Sequence, residues 1–195
     1  MRAIWTRLAP GIATLALALA SGAANADCDF LTGGGFIIPN GANANFGVAG
    51  GCSKDGAPTW GHLEYMDHGT SPSLNVHWTE ITAYFRDGAD GLDTKNRLTG
   101  ARFICGKART NLAAPNDNVN FAVRAKDMGE PGVDDEFDIQ LTQEGTGILV
   151  YTTNSDLLST PHKLNGGNIQ LQKPNPSTRT GTFSDPTSCP ALGAA

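Results

Sequence analysis

The sequence predicts an all-β fold, either an antiparallel β-sandwich or a small barrel of about nine short strands, stapled by disulfides. Three observations predict it. Short runs of residues alternate between apolar and polar side chains, and clusters of Gly, Asn, Asp and Pro separate these runs. No segment beyond the N-terminal one shows helical periodicity. Four cysteines supply two cross-links within the chain.

The first 26 residues have the features of a signal peptide. Arg2 and Arg7 form a basic start, an apolar stretch follows, and Ala-Asn-Ala at 24–26 matches the small-x-small pattern that signal peptidase recognises. The apolar stretch is shorter than the roughly 20 residues that a spanning helix needs, and no second one follows. We therefore expect a secreted protein, extracellular or periplasmic, with no membrane span.

The composition makes the mature chain acidic. The formal net charge is −5, and cleavage after residue 26 removes two arginines and no acidic residue, which changes the charge to −7. An acidic surface repels the phosphates of nucleic acids, and no basic cluster offsets it. We expect no nucleic-acid partner.

Three segments alternate most clearly, namely residues 119–127, 136–143 and 168–172. Each is predicted to be a strand with one buried and one solvated face. The residues expected on the solvated faces of the first two are Asn120, Arg124, Lys126, Glu136, Asp138 and Gln140. Six weaker strand candidates are residues 34–39, 44–52, 60–67, 74–85, 98–106 and 146–153.

The alternation of segment 74–85 changes phase within the segment. The apolar residues of the two phases are Leu74, Val76 and Trp78, then Ile81, Ala83 and Phe85. One extra residue near Thr79–Glu80 would produce this change, so we predict a β-bulge there. Trp78 belongs to the first set and is expected in the core. Trp60 begins a strand and is the better candidate for an exposed ring that contacts carbohydrate.

The predicted strands define one domain over residues 27–173. Residues 174–195 contain a stretch rich in Pro, Ser and Thr, and we expect a C-terminal tail with little to pack.

The cysteines are predicted to form two disulfides, for which three pairings exist. A turn centred on Asn40 places residues whose numbers sum to 80 opposite each other, and Cys28 and Cys52 satisfy this condition. We therefore predict a bond between Cys28 and Cys52, which leaves Cys105 to bond with Cys189 and fasten the tail to a strand. None of the cysteine spacings matches a zinc or redox motif.

Several motifs in this order resemble the post-COAP domain family of secreted bacterial proteins. They are "TGGGFI" at 32–37, "NFGV" at 45–48, "GHLEYMDH" at 61–68, "KDMGEPGVDDEFDIQL" at 126–141 and "LNGGNIQLQK" at 164–173. The resemblance covers residues 32–173 and implies a small β-rich extracellular module. It implies no particular activity. Longer insertions at 86–97 and 153–163 depart from the family pattern.

The stretch "WGHLEYMDH" at 60–68 concentrates residues that bind metals or transfer protons. In a strand, Leu63, Tyr65 and Asp67 share one face, and His62 and Glu64 share the other. His62 and Glu64 alone give no complete metal site. We therefore predict a structural strand that leads into a turn capped by Asp67.

The acidic loop in "KDMGEPGVDDEFD" is the candidate metal site. Asp127, Glu130, Asp134 and Asp135 lie between two predicted strands, and calcium prefers carboxylate and carbonyl oxygens on such loops. The spacing differs from that of an EF-hand. A solvated turn is the alternative to weak calcium binding, and "DGADGLD" at 87–93 is a weaker loop of the same kind. We predict no other cofactor.

The leading functional hypothesis is a secreted, non-enzymatic β module that binds or adheres at a cell surface or in extracellular matrix, with a surface polysaccharide or a protein as ligand. One alternative is a secreted hydrolase with paired carboxylates, for which Glu64, Asp67, Glu80 and Glu130 are candidates. Another is a small-ligand carrier, if the strands enclose an apolar cavity. The sequence contains no Gly-x-Ser-x-Gly motif for a nucleophilic serine.

Overall fold

The computed structural model describes residues 28–52, 59–155, 157, 160–175 and 181–192. The strands within them are β1 (Phe30–Ile37), β2 (Ala44–Gly51), β3 (Trp60–Asp67), β4 (Leu74–Leu92), β5 (Leu98–Thr110), β6 (Asn118–Asp127), β7 (Glu136–Gln143), β8 (Leu149–Thr152) and β9 (Gly166–Gln172). Two short 3-10 turns follow at Pro186–Ser188 and Pro190–Leu192. All nine predicted segments overlap these strands, so the all-β prediction is confirmed. The predicted signal peptide lies outside the described residues.

All nine strands belong to one antiparallel sheet. Strands β1 to β8 are neighbours in chain order, and β9 returns to pair with the other side of β1, which gives the order β8-β7-β6-β5-β4-β3-β2-β1-β9. The sheet curls into a half barrel with a concave and a convex face. Strand twist and bulges both promote such curling. Within the described residues, no helix has the length and apolarity that a membrane crossing requires.

The concave face holds the main hydrophobic core. Phe46 of β2 stacks on Phe137 of β7 with 3.8 Å between ring centroids, although four strands separate β2 from β7 in the sheet. Tyr65 of β3 joins the same stack. Other large buried side chains in this core are Leu31, Ile37, Leu63, Ile104, Phe121, Ile139, Leu141 and Ile169. The interior of the curl is therefore filled by side chains.

Glycine in β1 allows β9 to approach closely. A Cβ atom at Gly35 would lie 2.2 Å from the carbonyl oxygen of Gly166. Any other residue at this position would push β9 away from β1. Glycine at this position of β1 is therefore required for the close packing of β1 and β9.

The hairpin of β1 and β2 has a register that differs by one residue from the prediction. The predicted pairs sum to 80, whereas observed pairs such as Phe30 and Gly51 sum to 81. A slip of one residue turns each side chain to the other face of a strand. The observed register places Ile37 opposite Ala44, and both side chains are buried on the concave face.

Strand β4 contains the predicted bulge and two further register shifts. The register with β5 shifts between Trp78 and Glu80, as expected, a second time between Ile81 and Ala83, and a third time between Asp87 and Gly91. Because of the second shift, Ile81 lies in the concave core while Ala83 and Phe85 belong to a separate cluster on the convex face. The prediction that these three share a face is wrong. Trp78 packs against the concave core, as expected.

The C-terminal segment 181–192 packs on the sheet, which corrects the expectation of a tail with little to pack. Phe183 stacks on Tyr84 with 5.8 Å between centroids and also covers the guanidinium of Arg86. Ala191 is fully buried. The buried residues of this second, convex cluster are Ala83, Phe85, Phe103, Cys105, Ala122, Leu157, Cys189 and Ala191.

Three polar residues of the convex face that were expected in solvent are buried. Asn120, Arg124 and Asp138 are all buried, so their prediction as solvated residues is wrong. Arg124 donates to Asp87 and to Glu136, each at 2.7 Å. The alternation identified their face of the strands, but distant segments cover that face. The insertion at 153–163 contributes part of the cover through Leu157.

Both predicted disulfides are present. Cys28 is bonded to Cys52, and Cys105 is bonded to Cys189, across 24 and 84 positions of the chain. The first bond closes the β1–β2 hairpin. The second fastens the C-terminal segment to β5.

A buried arginine anchors the start of the described chain. The side chain of Arg102 is fully buried, and its Nε atom donates to Asp29 Oδ1 at 2.9 Å. A second contact joins its Nη2 atom to Asp29 Oδ2, and Asp90 accepts from Nη1 at 2.7 Å. The hydroxyl of Tyr84 donates to Asp29 at 2.6 Å, and burial raises the pKa of that hydroxyl well above its ordinary value.

Candidate functional site

The stretch at 60–68 forms β3 with the predicted faces. Leu63, Tyr65 and Asp67 are buried, whereas His62 and Glu64 are exposed on the convex side. The alternation in this stretch is therefore that of a strand with one buried and one exposed face, as predicted.

Asp67 caps the turn after β3, as predicted. Its Oδ1 accepts from the backbone N–H of Gly69 at 2.7 Å, and its Oδ2 accepts from Asn40 at 3.0 Å and from the Tyr151 hydroxyl at 2.7 Å. The hydroxyls of Tyr151 and Tyr65 are 2.6 Å apart. Burial is the main cause of the raised pKa of both tyrosines. This partly buried network joins β8 to β3.

Glu64 has a partner that sequence analysis missed. Its Oε1 atom lies 2.5 Å from Nδ1 of His77 on the neighbouring strand β4. Both side chains are more than half exposed, so this is a solvated surface pair. The register of β3 and β4 brings them together, and that register is not visible in either segment alone.

The four carboxylates proposed for a hydrolase lie in different surroundings. Glu64 pairs with His77 on the convex face, Asp67 points into the buried tyrosine network, and Glu80 is exposed beside a bulge. Glu130 lies in the turn between β6 and β7. No two of them share a hydrogen-bond partner among the described contacts.

Two carboxylates of the acidic loop cap the outer edge of β9. Asp135 accepts from the backbone N–H of Ile169 at 2.7 Å and from that of Met128 at 2.9 Å. Asp127 accepts from Leu171 N at 2.7 Å in the same way, and its other oxygen accepts from Gly129 N at 2.7 Å. Burial raises the pKa of Asp135 to about 6 and also raises that of Asp127.

The other two carboxylates of the loop have separate partners. Asp134 is exposed and accepts from Lys163 at 2.7 Å. Glu130 accepts from Gln170 at 2.7 Å and from Asn168 at 3.3 Å, and these bonds lower its pKa.

The structure thus gives the acidic loop a structural role. In the part of the chain described, no group of three or more His, Cys, Asp and Glu side chains is arranged to hold a metal ion. Calcium binding by Asp127, Glu130, Asp134 and Asp135 stays a prediction. In the weaker loop, the carboxylates of Asp87, Asp90 and Asp93 pair with Arg124, Arg102 and Arg97 respectively.

A groove of about 430 Å³ lies beside the capped edge of β9. Its walls come from the β4–β5 turn, the start of the β6–β7 turn, and the side of β9 that continues onto the convex face. Its polar lining includes Asp93, Arg97, Glu130, Gln170, Gln172 and Lys173. Sequence analysis placed Gln170 and Gln172 on a polar strand face but gave no sign that the loops around 97 and 130 approach them.

The convex face of β9, β1, β2 and β3 continues from this groove. Strand pairing places Gln172, Phe30, Gly51 and Trp60 in one row across the four strands. The rings of Phe30 and Trp60 are 5.9 Å apart over Gly51, where a Cβ atom would lie 2.9 Å from the indole nitrogen. Trp60 is 39% exposed, which agrees with the expected exposed ring. We call this face, from Gln172 to Trp60, the aromatic face.

Comparisons of the chain with protein-family models, with curated proteins and with solved structures found no match. The resemblance to the post-COAP domain family stays a prediction from the sequence motifs.

Proposed function

We propose that this protein is a secreted, non-enzymatic β module that binds at a cell surface or in extracellular matrix through the aromatic face. One observation carries the proposal: side chains fill the concave interior, while the convex face of β9 to β3 presents rings and amides to solvent. Exposed aromatic and planar polar groups on a rigid sheet lose little freedom when they bind. The motif resemblance to secreted β-rich modules points the same way.

The same observation argues against the carrier alternative. A carrier needs an apolar cavity enclosed by the strands. Here the stacked rings of Phe46 and Phe137 occupy the space between opposite sides of the curl. The single sheet, whose β9 edge is capped by Asp127 and Asp135, supports the small-barrel architecture over the sandwich.

The hydrolase alternative has one observation in its favour. Asp127 and Glu130 line the same groove, and the pKa of Asp127 is raised by burial while hydrogen bonds lower that of Glu130. Opposite shifts are the pattern of an acid and a base. However, both oxygens of Asp127 already accept backbone N–H groups. Glu130→Gln should abolish the release of reducing sugars from polysaccharides if the groove hydrolyses them.

Binding is tested with cell envelopes and matrix of the producing cells. The oxidised protein should co-sediment with at least one of these fractions. Trp60→Ala should weaken this binding, whereas Leu149→Ala, which removes an exposed apolar side chain from β8, should not. A protein that stays in the supernatant with every fraction would contradict the proposal.

Export is tested separately by intact mass. The secreted form should begin at Asp27, directly after the predicted cleavage site, and should weigh less than the reduced chain by the hydrogens lost in two disulfides. A product that retains residues 1–26 would contradict export by signal-peptide cleavage.

A further inference from the structure

The groove beside β9 is connected to the aromatic face by shared residues. Phe30, Gln170 and Gln172 line the groove and also belong to the convex face of β9 and β1. The volume of about 430 Å³ lies within the range of about 300–1,000 Å³ that small-ligand sites occupy. The groove is therefore large enough for a short segment of an extended chain that crosses the face.

A row of planar polar groups lines one side of the groove. Gln172 Nε2 donates to Gln170 Oε1 at 3.0 Å, and Gln170 Nε2 donates to Glu130 Oε1 at 2.7 Å. Nη1 of Arg97 lies 3.6 Å from the same oxygen of Glu130. Each group fixes the orientation of the next. A ligand that binds along this row therefore loses less affinity to the ordering of side chains.

The row has hydrogen-bonding capacity left for a ligand. The contacts of Glu130 with Gln170, Asn168 and Arg97 all use Oε1, so Oε2 of the carboxylate is available to accept from a ligand. Arg97 binds Asp93 through Nε and Nη2, which leaves Nη1 to donate. Carboxylate, amide and guanidinium groups supply donors and acceptors in one plane. Adjacent sugar hydroxyls, each both donor and acceptor, match this arrangement.

The aromatic rings complete this chemistry. The ring of Phe30 forms a wall of the groove, and that of Trp60 lies 5.9 Å from it on the adjoining face. A sugar ring has an apolar face of C–H groups that packs on an aromatic ring, while its hydroxyls point sideways. Polar groups beside aromatic rings are therefore the combination that a carbohydrate needs.

The charge of the groove selects among carbohydrates. Its acidic residues are Asp93, Asp127 and Glu130, and its basic residues are Arg97 and Lys173. Asp93 holds Arg97 in an ion pair, so the groove has no excess positive charge. An acidic protein with such a groove repels polyanions. The charge of the groove therefore favours a neutral polysaccharide as the ligand.

We infer that the groove binds a neutral polysaccharide, with sugar hydroxyls on Glu130, Gln170 and Arg97 and a sugar ring on Phe30. This inference rests on the proposed function, since it names the ligand class of the same face. The polysaccharide enters along β9 and continues toward Trp60.

The test uses the oxidised full chain and the cell envelope and matrix preparations. One portion is treated with periodate, which destroys sugars that carry adjacent hydroxyls, and another with a protease. Periodate should reduce binding about tenfold or more, and the protease should leave it unchanged. Binding should also resist salt from about 50 to 500 mM, because a neutral ligand has no charge to screen.

Two groove variants connect the result to named residues. Gln170→Ala and Glu130→Gln should each weaken binding about tenfold. Gln170→Ala removes an amide that would bind the ligand and that orients Glu130, and Glu130→Gln replaces the charged acceptor by a weaker, neutral one. Gln143→Ala, at the end of β7 and outside the groove, should bind as the parent protein does. Thermal unfolding of all three variants shows whether they are folded.

Each result has a consequence. Binding that survives periodate but is lost after protease treatment overturns the inference and leaves the proposed binding function standing. Unchanged binding by both folded groove variants also overturns it, as does binding that salt abolishes. Absence of binding to every untreated preparation contradicts the proposed function and the inference together.

Discussion

Asp135 accepts a hydrogen bond from the backbone N–H of Ile169 at 2.7 Å, on the side of β9 that faces away from β1. Asp127 does the same for Leu171. Unpaired backbone groups at a sheet edge invite pairing with other chains, and proteins protect them with charged side chains or covering loops. Here the turn between β6 and β7 provides that protection from more than thirty positions away in the chain.

The pKa of Asp135 makes this cap depend on pH. Burial raises the pKa to about 6, compared with about 3.9 for an aspartate in an unfolded chain. Between these values the folded state holds a proton that the unfolded state has lost, so the contribution of this group to the free energy of unfolding falls as pH rises through about 4 to 6. Asp135→Asn should abolish that part of the pH dependence. It should also lower stability at neutral pH by about 1–3 kcal/mol, because one accepted hydrogen bond is lost.

Urea unfolding of both proteins at several values between pH 4 and pH 8 measures this difference. The control is Asp134→Asn, since Asp134 is exposed and pairs only with Lys163 among the described residues. Parallel stability curves for the parent protein and Asp135→Asn would rule out a raised pKa at this position.

Calcium should leave the stability unchanged. Asp127 and Asp135 already accept backbone N–H groups with both of their oxygens. Among the described residues, no group of three or more His, Cys, Asp and Glu side chains is arranged to hold the ion. Thermal unfolding with and without several millimolar calcium provides the measurement. A ligand at a hundredfold excess over its dissociation constant adds about 2.7 kcal/mol. A gain of that size, reduced by Asp134→Asn, would instead establish the loop as a calcium site.

Substitutions along β3 should separate its two faces. Leu63→Ala and Tyr65→Ala should each lower the free energy of unfolding by about 2–5 kcal/mol, because they leave cavities in the concave core. His62→Ala and Glu64→Ala should change it by less than about 0.5 kcal/mol, since both side chains lie in solvent. Denaturant midpoints of the four variants measure these changes. Similar losses of stability at all four positions would contradict the assignment of the residues to the two faces of β3.

Removal of the buried Arg102 side chain should strongly lower the free energy of unfolding. Arg102→Met removes the guanidinium that is hydrogen-bonded to the buried Asp29 and leaves Arg86, 3.8 Å away, as its remaining cationic neighbour among the described residues. Breaking a buried ion pair in this way costs about 3–5 kcal/mol. The matched control is Arg109→Met, an exposed arginine on the same strand, which should stay within about 0.5 kcal/mol of the parent protein. Equal unfolding free energies for the two variants would show that the network around Asp29 adds no stability.

The disulfide of Cys105 and Cys189 should hold the C-terminal cover in place. Replacing both cysteines by alanine should cost about 2–5 kcal/mol and should speed proteolysis near residues 181–192. The matched control replaces Cys28 and Cys52, which should cost stability without releasing that segment. Protection of 181–192 from protease in both variants would mean that Phe183 and Ala191 suffice to hold it.

Sequence reasoning succeeded where the cause is local. Alternation found all nine strands, the phase change in β4 located the bulge near Glu80, and the turn at Asn40 led to the bond between Cys28 and Cys52. The hairpin register was still wrong by one residue. The disulfide tolerates that slip because its two cysteines lie at the ends of the paired strands.

Sequence reasoning failed where a distant segment decides. Asp138 has the alternation of a solvated residue, yet it is fully buried and bonded to Thr153 and His162, more than ten positions further along the chain. The groove depends in the same way on loops around 97 and 130 that meet β9 only after the sheet has curled. A periodic pattern identifies which side chains share a face, but not what covers that face.

The pairing of β1 with β9 determines the order in which the sheet can be completed. As the chain is synthesised from its N-terminus, β1 to β8 can assemble as a series of hairpins. The edge of β1 that does not pair with β2 stays unpaired until β9 has been synthesised. Contacts between such distant residues form slowly. Until β9 arrives, Gly33 to Gly35 present a flat, open edge that can pair with another chain. Loss of β9 through a premature stop would therefore convert a protected domain into one prone to association through its first strand.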